Sequence, residues 1–250
     1  MLYQVICFDI DGTLINPRTN TIDPSTKQVL HKLKQRGFKL GIVTGRAWGA
    51  VKDEGIHELA DWDYYVLNNG QRVLNKEFET VYEQVIEPEV MIDLIRLANK
   101  QEYGLLGQGD NWTLYTPVYD TVRKVHTDLA GNIPTPQTYN NEKIFTLMGY
   151  GTDHSLFDEF PEFQLIPGIH EYVDIIFSDA NKYDGLKRVI SEPYVAFGDS
   201  LNDIEFLQHA AISIAMKDAR DELKAIADYV SQQEDNEILT ICEHFNWFES

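Results

Sequence analysis

Two aspartates, separated by a single residue, follow an apolar run near the start of the sequence. The run covers residues 3–8, and Asp9 and Asp11 come directly after it. Because residues two apart in a strand point to the same side, the spacing predicts that both carboxylates share one small space. Their mutual repulsion then has to be offset by a cation or a proton. An ordinary turn is the alternative, since Asp-Gly is a common turn dipeptide.

A carboxylate in such a place suits phosphoryl chemistry. It can attack phosphorus and form an aspartyl-phosphate, which divides hydrolysis into two easier transfers. We expect Asp9 to be this nucleophile. We expect Asp11 to protonate the leaving oxygen in the first transfer and to activate water in the second.

Polar clusters follow two further apolar runs. Thr44, Gly45 and Arg46 follow the first of these runs, and their hydroxyl and guanidinium groups suit phosphate oxygens. The second is followed by Asp199 and, shortly after, by further polar residues. The carboxyl ends of parallel strands form the ligand crevice of an open α/β sheet. Three such ends with polar clusters therefore predict one active site.

The elements around these clusters alternate between strand and helix. Asp23 is a good N-cap with Pro24 at the first helical position, and Gly37 closes the predicted helix. Residues 38–43 and 64–67 then supply further strands. This β-α-β-α-β order predicts an α/β fold with a Rossmann-like parallel-sheet core.

The rhythm changes in the middle of the chain and returns near residue 183. Paired strands and separate helices between them predict an α+β domain. We expect residues 1–79 and 180–250 to form the catalytic core, and residues 80–179 to form an inserted cap. Residues 131–141, with two prolines, are expected to form a long loop.

The ordered motifs resemble the signature motifs of the haloacid dehalogenase (HAD) superfamily. The first motif begins at Asp9, the second contains Thr44, Lys182 fits the third, and Gly198, Asp199, Asn202 and Asp203 fit the fourth. The stretch between the second and third motifs resembles the α+β cap of the Cof-like (type IIB) phosphatase branch. Asn-Asn-Gly at 68–70 and Ile-Ala-Met at 214–216 also have counterparts in that branch.

The resemblance implies a role for most of these residues. Magnesium would be bound by the Asp9 carboxylate, the Asp11 backbone carbonyl and Asp199, since Mg²⁺ favours oxygen ligands. Lys182 would balance the charge shared by Asp9 and phosphate. Asp203 would not contact phosphate or metal itself but would hold the residues that do. For Arg46, a structural salt bridge is an equal alternative to contact with substrate. The expected phosphate- and substrate-binding residues are Gly12, Thr44, Gly45, Arg46, Lys182 and Asn202.

Composition limits the partners. The formal net charge of −19 disfavours nucleic acids and anionic membranes. The two cysteines fit a reducing compartment, and an N-terminus without a basic leader fits a cytoplasmic protein. A cap that can close over the catalytic edge favours small phosphorylated metabolites, such as sugar phosphates.

Three other functions compete with a phosphatase. A phosphomutase on the same fold would return the phosphoryl group to its substrate. A phospho-acceptor signalling protein would keep the aspartyl-phosphate, but Asp11 and the insertion argue against it. A catalytically silent binding protein is disfavoured because no motif carboxylate is missing.

Overall fold

The structure, a computed structural model, describes residues 4–128, 131–168 and 170–248. Its contacts divide the chain into two compact units. The first contains Met1–Arg46, Lys52–Tyr82 and Asn181–Ser250, and the second contains Ala47–Val51 and Glu83–Ala180. Among the described residues, no helix combines the length and the apolarity needed to cross a membrane.

The described residues form fifteen strands and eight α-helices. The strands are β1 (Val5–Phe8), β2 (Ile15–Asn16), β3 (Thr21–Ile22), β4 (Lys39–Val43), β5 (Tyr64–Leu67), β6 (Arg72–Asn75), β7 (Thr80–Glu83), β8 (Gly104–Gln108), β9 (Trp112–Leu114), β10 (Thr146–Tyr150), β11 (Phe163–Pro167), β12 (Tyr172–Phe177), β13 (Tyr194–Gly198), β14 (Ile212–Ala215) and β15 (Tyr229–Val230). The α-helices are α1 (Pro24–Gln35), α2 (Trp48–Asp53), α3 (Pro88–Lys100), α4 (Asp120–Asp128), α5 (Lys182–Leu186), α6 (Ile204–Gln208), α7 (Asp221–Lys224) and α8 (Glu237–His244).

The first unit is built on an eight-stranded sheet in the order β15-β14-β13-β1-β4-β5-β6-β7. Strand β1 lies parallel to both β13 and β4, and all four of its residues are fully buried. A continuous apolar run is what a central parallel strand with two covered faces requires. The predicted α/β class with a parallel-sheet core is confirmed.

Helix α1 shows why the sequence predicts the elements near the site well. The Asp23 side chain accepts a hydrogen bond from the Ser25 N–H at 2.8 Å, and Pro24 occupies the first turn. Val29, Leu30 and Leu33 are buried, as their helical spacing predicts. Gly37 follows the helix with φ 85°, a left-handed conformation that glycine adopts without strain.

The second unit contains a five-stranded sheet in the order β11-β12-β10-β8-β9. Its strands pair antiparallel, and apolar side chains pack on both faces. Leu105 belongs to the core that includes α3, whereas its neighbour Leu106 belongs to the core that includes α4. Because neighbouring side chains in a strand point to opposite faces, the two helices cover opposite faces of this sheet.

The division of the chain differs in detail from the predicted boundaries. The core was expected to end at residue 79, but β7 adds an edge strand to the eight-stranded sheet, and the first unit extends to Tyr82. Ala47–Val51 groups with the second unit. There, Gly49 lies so close to the Asp110 carbonyl that a Cβ would sit 2.3 Å from its oxygen. The sequence of this five-residue segment gives no sign of a packing partner so far away along the chain. The expected loop at 131–141 contains no helix or strand.

Candidate active site

The first unit brings the predicted motifs to one edge of its sheet. Strands β13, β1 and β4 are parallel neighbours, so their carboxyl ends lie side by side. Asp199 follows β13, Asp9 follows β1 and Thr44 follows β4. The topology therefore assembles residues that are far apart in sequence.

Asp9, Lys182 and Asp203 form what we call the buried ion group. Lys182 Nζ donates to Asp9 Oδ1 at 2.8 Å and to Asp203 Oδ1 at 2.7 Å. The Lys182 side chain is only 1% exposed, so the low polarity around it strengthens both ion pairs. Lys182 is thus the cation that lies between the two carboxylates of this group.

The pKa values of Asp9 and Lys182 both depart from their ordinary values. Burial raises the pKa of Asp9 well above its ordinary value, and Lys182 opposes this, while Asp203, Asp199 and Asp11 add to it. Burial by itself would lower the pKa of Lys182, but Asp203 and Asp9 outweigh this and raise it. The ammonium therefore stays charged beside carboxylates that repel one another.

Asp203 uses both of its carboxylate oxygens. Oδ1 accepts from Lys182, and Oδ2 accepts the backbone N–H groups of Asp199 and Ser200, each at 3.1 Å. Ser200 and Asp203 also form a capping box on the short 3-10 helix Leu201–Asp203. Asp203 thus fixes the loop that carries Asp199. Its supporting role in catalysis stays a prediction.

Asp199 lies directly over Gly12. Gly12 has φ 73°, and a Cβ at this position would be 2.2 Å from Asp199 Oδ2, so both the backbone and the space require glycine. Asp199 Oδ1 is buried and has no hydrogen-bond partner among the residues that the structure describes. Burial, followed by the charge of Asp203, raises the pKa of Asp199 to about 7.

These carboxylates fit a divalent cation. Asp9, Asp199 and Asp203 offer oxygen atoms that all lie within 4.8 Å of one another. Asp199 has a buried oxygen without a hydrogen-bond partner among the described residues, and the pKa values of Asp9 and Asp199 are raised. Crowded carboxylates show both features when they need a positive charge beside them. Since both oxygens of Asp203 are already engaged, Asp9 and Asp199 are the carboxylates left to bind an ion. All-oxygen donors suit a hard cation.

Asp11, Arg46 and Glu54 form a second set, the exposed ion group. Arg46 donates to Asp11 Oδ2 at 2.8 Å and to Asp11 Oδ1 at 2.7 Å, and it lies 2.5 Å from Glu54. The Asp11 side chain is 59% exposed. Strand β1 ends at Phe8, so the alternating side-chain directions of a strand do not extend to Asp11. For this reason the Asp11 side chain can point towards Arg46. Arg46 therefore forms a salt bridge, which was one of the two roles expected for it, the other being contact with substrate.

Thr44 and Asn202 both form hydrogen bonds with Asn69. Thr44 is buried, and its hydroxyl oxygen accepts the Arg46 N–H at 3.1 Å, which leaves the hydroxyl hydrogen able to donate. Asn202 Nδ2 donates to Asn69 Oδ1 at 2.9 Å. Gly45 packs against the same Asn69 side chain, and a Cβ there would lie 3.2 Å from it.

Two residues of the site, Glu54 and Asn69, had no role predicted from the sequence. Glu54 has no motif around it, and only its contact with Arg46 brings it to the site. Asn69 follows β5, the strand next to β4, so the rule that joined the other strand ends could have identified it.

Comparison with known proteins gives consistent matches over nearly the whole chain. Residues 6–239 match the family of haloacid dehalogenase-like hydrolases. YkrA of Bacillus subtilis (strain 168) is 28% identical over 252 residues, which cover 94% of this chain and 94% of YkrA. The pyridoxal phosphate phosphatase YbhA of Escherichia coli (strain K12) is 27% identical, with 92% and 93% covered. The solved structure of the HAD subclass IIB sugar phosphatase BT4131 matches with a TM-score of 0.79 at 26% identity, covering 98% of this chain and 99% of BT4131.

Proposed function

Since the chain belongs to the haloacid dehalogenase-like hydrolases and is a phosphatase of that family, we propose that it hydrolyses small phosphomonoesters through a phosphorylated Asp9. One observation carries the mechanism: a buried Asp9 is held by Lys182 beside Asp199, at the carboxyl edge of a parallel sheet. This is where an α/β sheet binds its ligands.

The first transfer uses both motif-one carboxylates. Lys182 holds Asp9 Oδ1, and Asp9 Oδ2 attacks phosphorus. The bond from phosphorus to the ester oxygen breaks, and Asp11 gives its proton to the leaving alcohol.

The second transfer restores the enzyme. Asp11, now a carboxylate, takes a proton from a water molecule that attacks the aspartyl-phosphate. Free phosphate leaves, and Asp9 regains its carboxylate. To serve in both steps, Asp11 exchanges its Arg46 partner for substrate or water, which its exposure allows.

The phosphoryl oxygens need donors that are in position before the reaction. Thr44 offers its hydroxyl hydrogen, and Asn202 offers a second N–H on Nδ2. Lys182 balances the negative charge on Asp9 and the phosphoryl group. A side chain at Gly12 would collide with Asp199, and one at Gly45 would make a tight contact with Asn69, so both glycines leave room at the site.

We propose that the cation is Mg²⁺. The carboxylates of Asp9 and Asp199, with the backbone carbonyl of Asp11, would hold it, because Mg²⁺ prefers oxygen ligands. When bound, it offsets the charge of the carboxylates and of the phosphate.

We propose small phosphorylated metabolites as substrates, with sugar phosphates the first to test. The similarity to a sugar phosphatase and to a pyridoxal phosphate phosphatase supports this choice. The net charge of −19 opposes polyanionic partners such as nucleic acids and anionic membranes. The two free, buried cysteines, Cys7 and Cys242, support a cytoplasmic location.

The test is phosphate release from a panel of phosphorylated metabolites, a phosphopeptide and a 5′-phosphorylated oligonucleotide. We expect activity with Mg²⁺, none with EDTA, and the highest kcat/KM on small esters. One phosphate released per ester consumed separates a phosphatase from a phosphomutase. Full activity in metal-stripped buffer with chelator would contradict the cation, and a preference for either large substrate would contradict the substrate class.

A further inference from the structure

The short turn Asn68–Gly70 after β5 has an unusual backbone. Its three residues have φ values of 51°, 54° and 96°, all in the left-handed region. Asn68 and Asn69 are also buried. Asparagine tolerates this region better than most residues, but consecutive residues there persist only where the surroundings hold them. Such a conformation is worth testing for a role in function.

The backbone of this turn contacts two motif loops. The Asn69 N–H donates to the Thr44 carbonyl, and the Asn68 N–H donates to the Arg46 carbonyl, each at 3.0 Å. Gly70 packs against the residue before Lys182, since a Cβ on Gly70 would be 2.1 Å from the Asn181 carbonyl oxygen. The turn therefore keeps the loops of the second and third motifs at a fixed spacing.

The Asn69 side chain reaches the fourth motif. Asn69 Oδ1 accepts from Asn202 Nδ2 at 2.9 Å, while Asn202 Oδ1 accepts from the Ser200 hydroxyl at 2.8 Å. The two bonds fix which end of the Asn202 carboxamide points to which neighbour. Nδ2 carries two hydrogens, so one remains to donate after Asn69 has taken the other.

We propose that Asn69 is a positioning residue that acts through Asn202. The inference rests on the function proposed above, in which Asn202 donates to a phosphoryl oxygen. Without Asn69, the Asn202 carboxamide can turn over and present its carbonyl oxygen to the phosphate. The Asn202 carbonyl oxygen and a phosphoryl oxygen, which are both acceptors, then face each other. The hydrogen bond from Asn202 to the transferring phosphoryl group is lost.

A double-mutant cycle tests this coupling. Asn69→Gly removes the side chain and keeps the left-handed backbone, because glycine adopts positive φ freely. The four proteins are the wild type, Asn69→Gly, Asn202→Ala and the double variant. We would measure kcat/KM on a small phosphomonoester with Mg²⁺, and the inhibition constant of inorganic phosphate.

We expect Asn69→Gly to lower kcat/KM about tenfold, which corresponds to the net effect of one hydrogen bond, and to weaken phosphate inhibition. In the Asn202→Ala background the same change should have almost no effect. Asn246→Gly is the control: Asn246 has φ 53° and is exposed near the C-terminal end, so kcat/KM should not change.

The outcomes separate the inference from the function. Equal losses from Asn69→Gly with and without Asn202 would show a merely structural role and overturn the inference. If the wild type hydrolyses esters and Asn202→Ala is fully active, the inference about Asn69 is also overturned. The phosphatase assignment then stays intact. A wild type inactive on every ester overturns the proposed function itself. If Asn69→Gly does not fold, Asn69→Ser serves in the same cycle, because its hydroxyl is too short to reach Asn202.

Discussion

The buried and exposed ion groups belong to the same unit, yet water reaches them to very different degrees. In the buried group, the side chains of Lys182 and Asp203 are 1% and 0% exposed. In the exposed group, the carboxylate side chains of Asp11 and Glu54 are 59% and 48% exposed, while the Arg46 side chain between them is 18% exposed. Opposite charges attract far more strongly where water is excluded, and exposed ion pairs contribute little to stability.

The difference matches the work that each group has to do. A nucleophile gains from a fixed position, because correct orientation supplies much of the rate. An acid and base gains from partners that can exchange, because it gives up a proton in one step and accepts one in the next. The chain places its proposed nucleophile in the rigid group and its proposed acid and base in the exchangeable one.

The largest expected effect comes from the nucleophile. Asp9→Asn removes the attacking oxygen at almost constant shape, so kcat should fall about 10⁴-fold or more. The fold should survive, since Lys182 keeps Asp203 as its partner. Steady-state phosphate release and circular dichroism would measure the two effects. Substantial hydrolysis by a variant free of contaminating enzyme would rule out Asp9 as nucleophile.

The cation of the buried group should matter most for stability. Lys182→Met leaves two buried carboxylates without their counter-charge, and we expect a loss of about 3–5 kcal/mol in the free energy of unfolding. Lys187→Met is the matched control: Lys187 pairs with Asp184 at 2.8 Å but is 51% exposed. Its removal should destabilise the protein far less, because solvent screens an exposed ion pair. Urea denaturation without Mg²⁺ measures both, and equal losses would remove the distinction between buried and exposed pairs.

The third prediction concerns pH and metal together. Burial raises the pKa of Asp199 to about 7 in the folded protein, against about 3.9 for an unfolded aspartate. Between these values the folded state binds more protons, so the metal-free protein becomes more stable as pH falls from 8 to 5. Mg²⁺ needs the deprotonated carboxylate, so it should raise the melting temperature more at pH 8 than at pH 6.

Variants assign this dependence to a residue, because other carboxylates also titrate. Asp199→Asn should flatten the pH dependence and abolish the Mg²⁺ effect. Thermal unfolding of the wild type and of Asp199→Asn at both pH values, with and without Mg²⁺, decides this. A Mg²⁺ effect of the same size at pH 6 and pH 8 would speak against Asp199 as a metal ligand.

Sequence reasoning succeeded where a local rule governs the structure. Continuous apolar runs predicted the buried strands, and the order of elements predicted a parallel sheet whose edge gathers Asp9, Thr44 and Asp199. Spacing and periodicity could not predict the side-chain partners, which depend on contacts between distant segments. Lys182 pairs with Asp9 across 173 residues, and only the family resemblance indicated that the two belong together. Asn202 finds Asn69 133 residues away, and no spacing rule covers either pair.

The smallest expected effect lies in the exposed group, at Glu54. Arg46 divides its charge between Asp11 and Glu54, so Glu54→Gln leaves Arg46 to hold Asp11 more strongly. Asp11 is then released to the substrate less readily, and we expect kcat to fall two- to fivefold, the range of about 0.4–1 kcal/mol that an exposed ion pair provides. The free energy of unfolding should change by less than about 1 kcal/mol. Glu58→Gln is the control, since the Glu58 carboxylate is 76% exposed and lies 3.8 Å from His57. An unchanged or increased kcat in Glu54→Gln would mean that Arg46 does not control how readily Asp11 is released. Access to solvent alone would then allow Asp11 to exchange its partners.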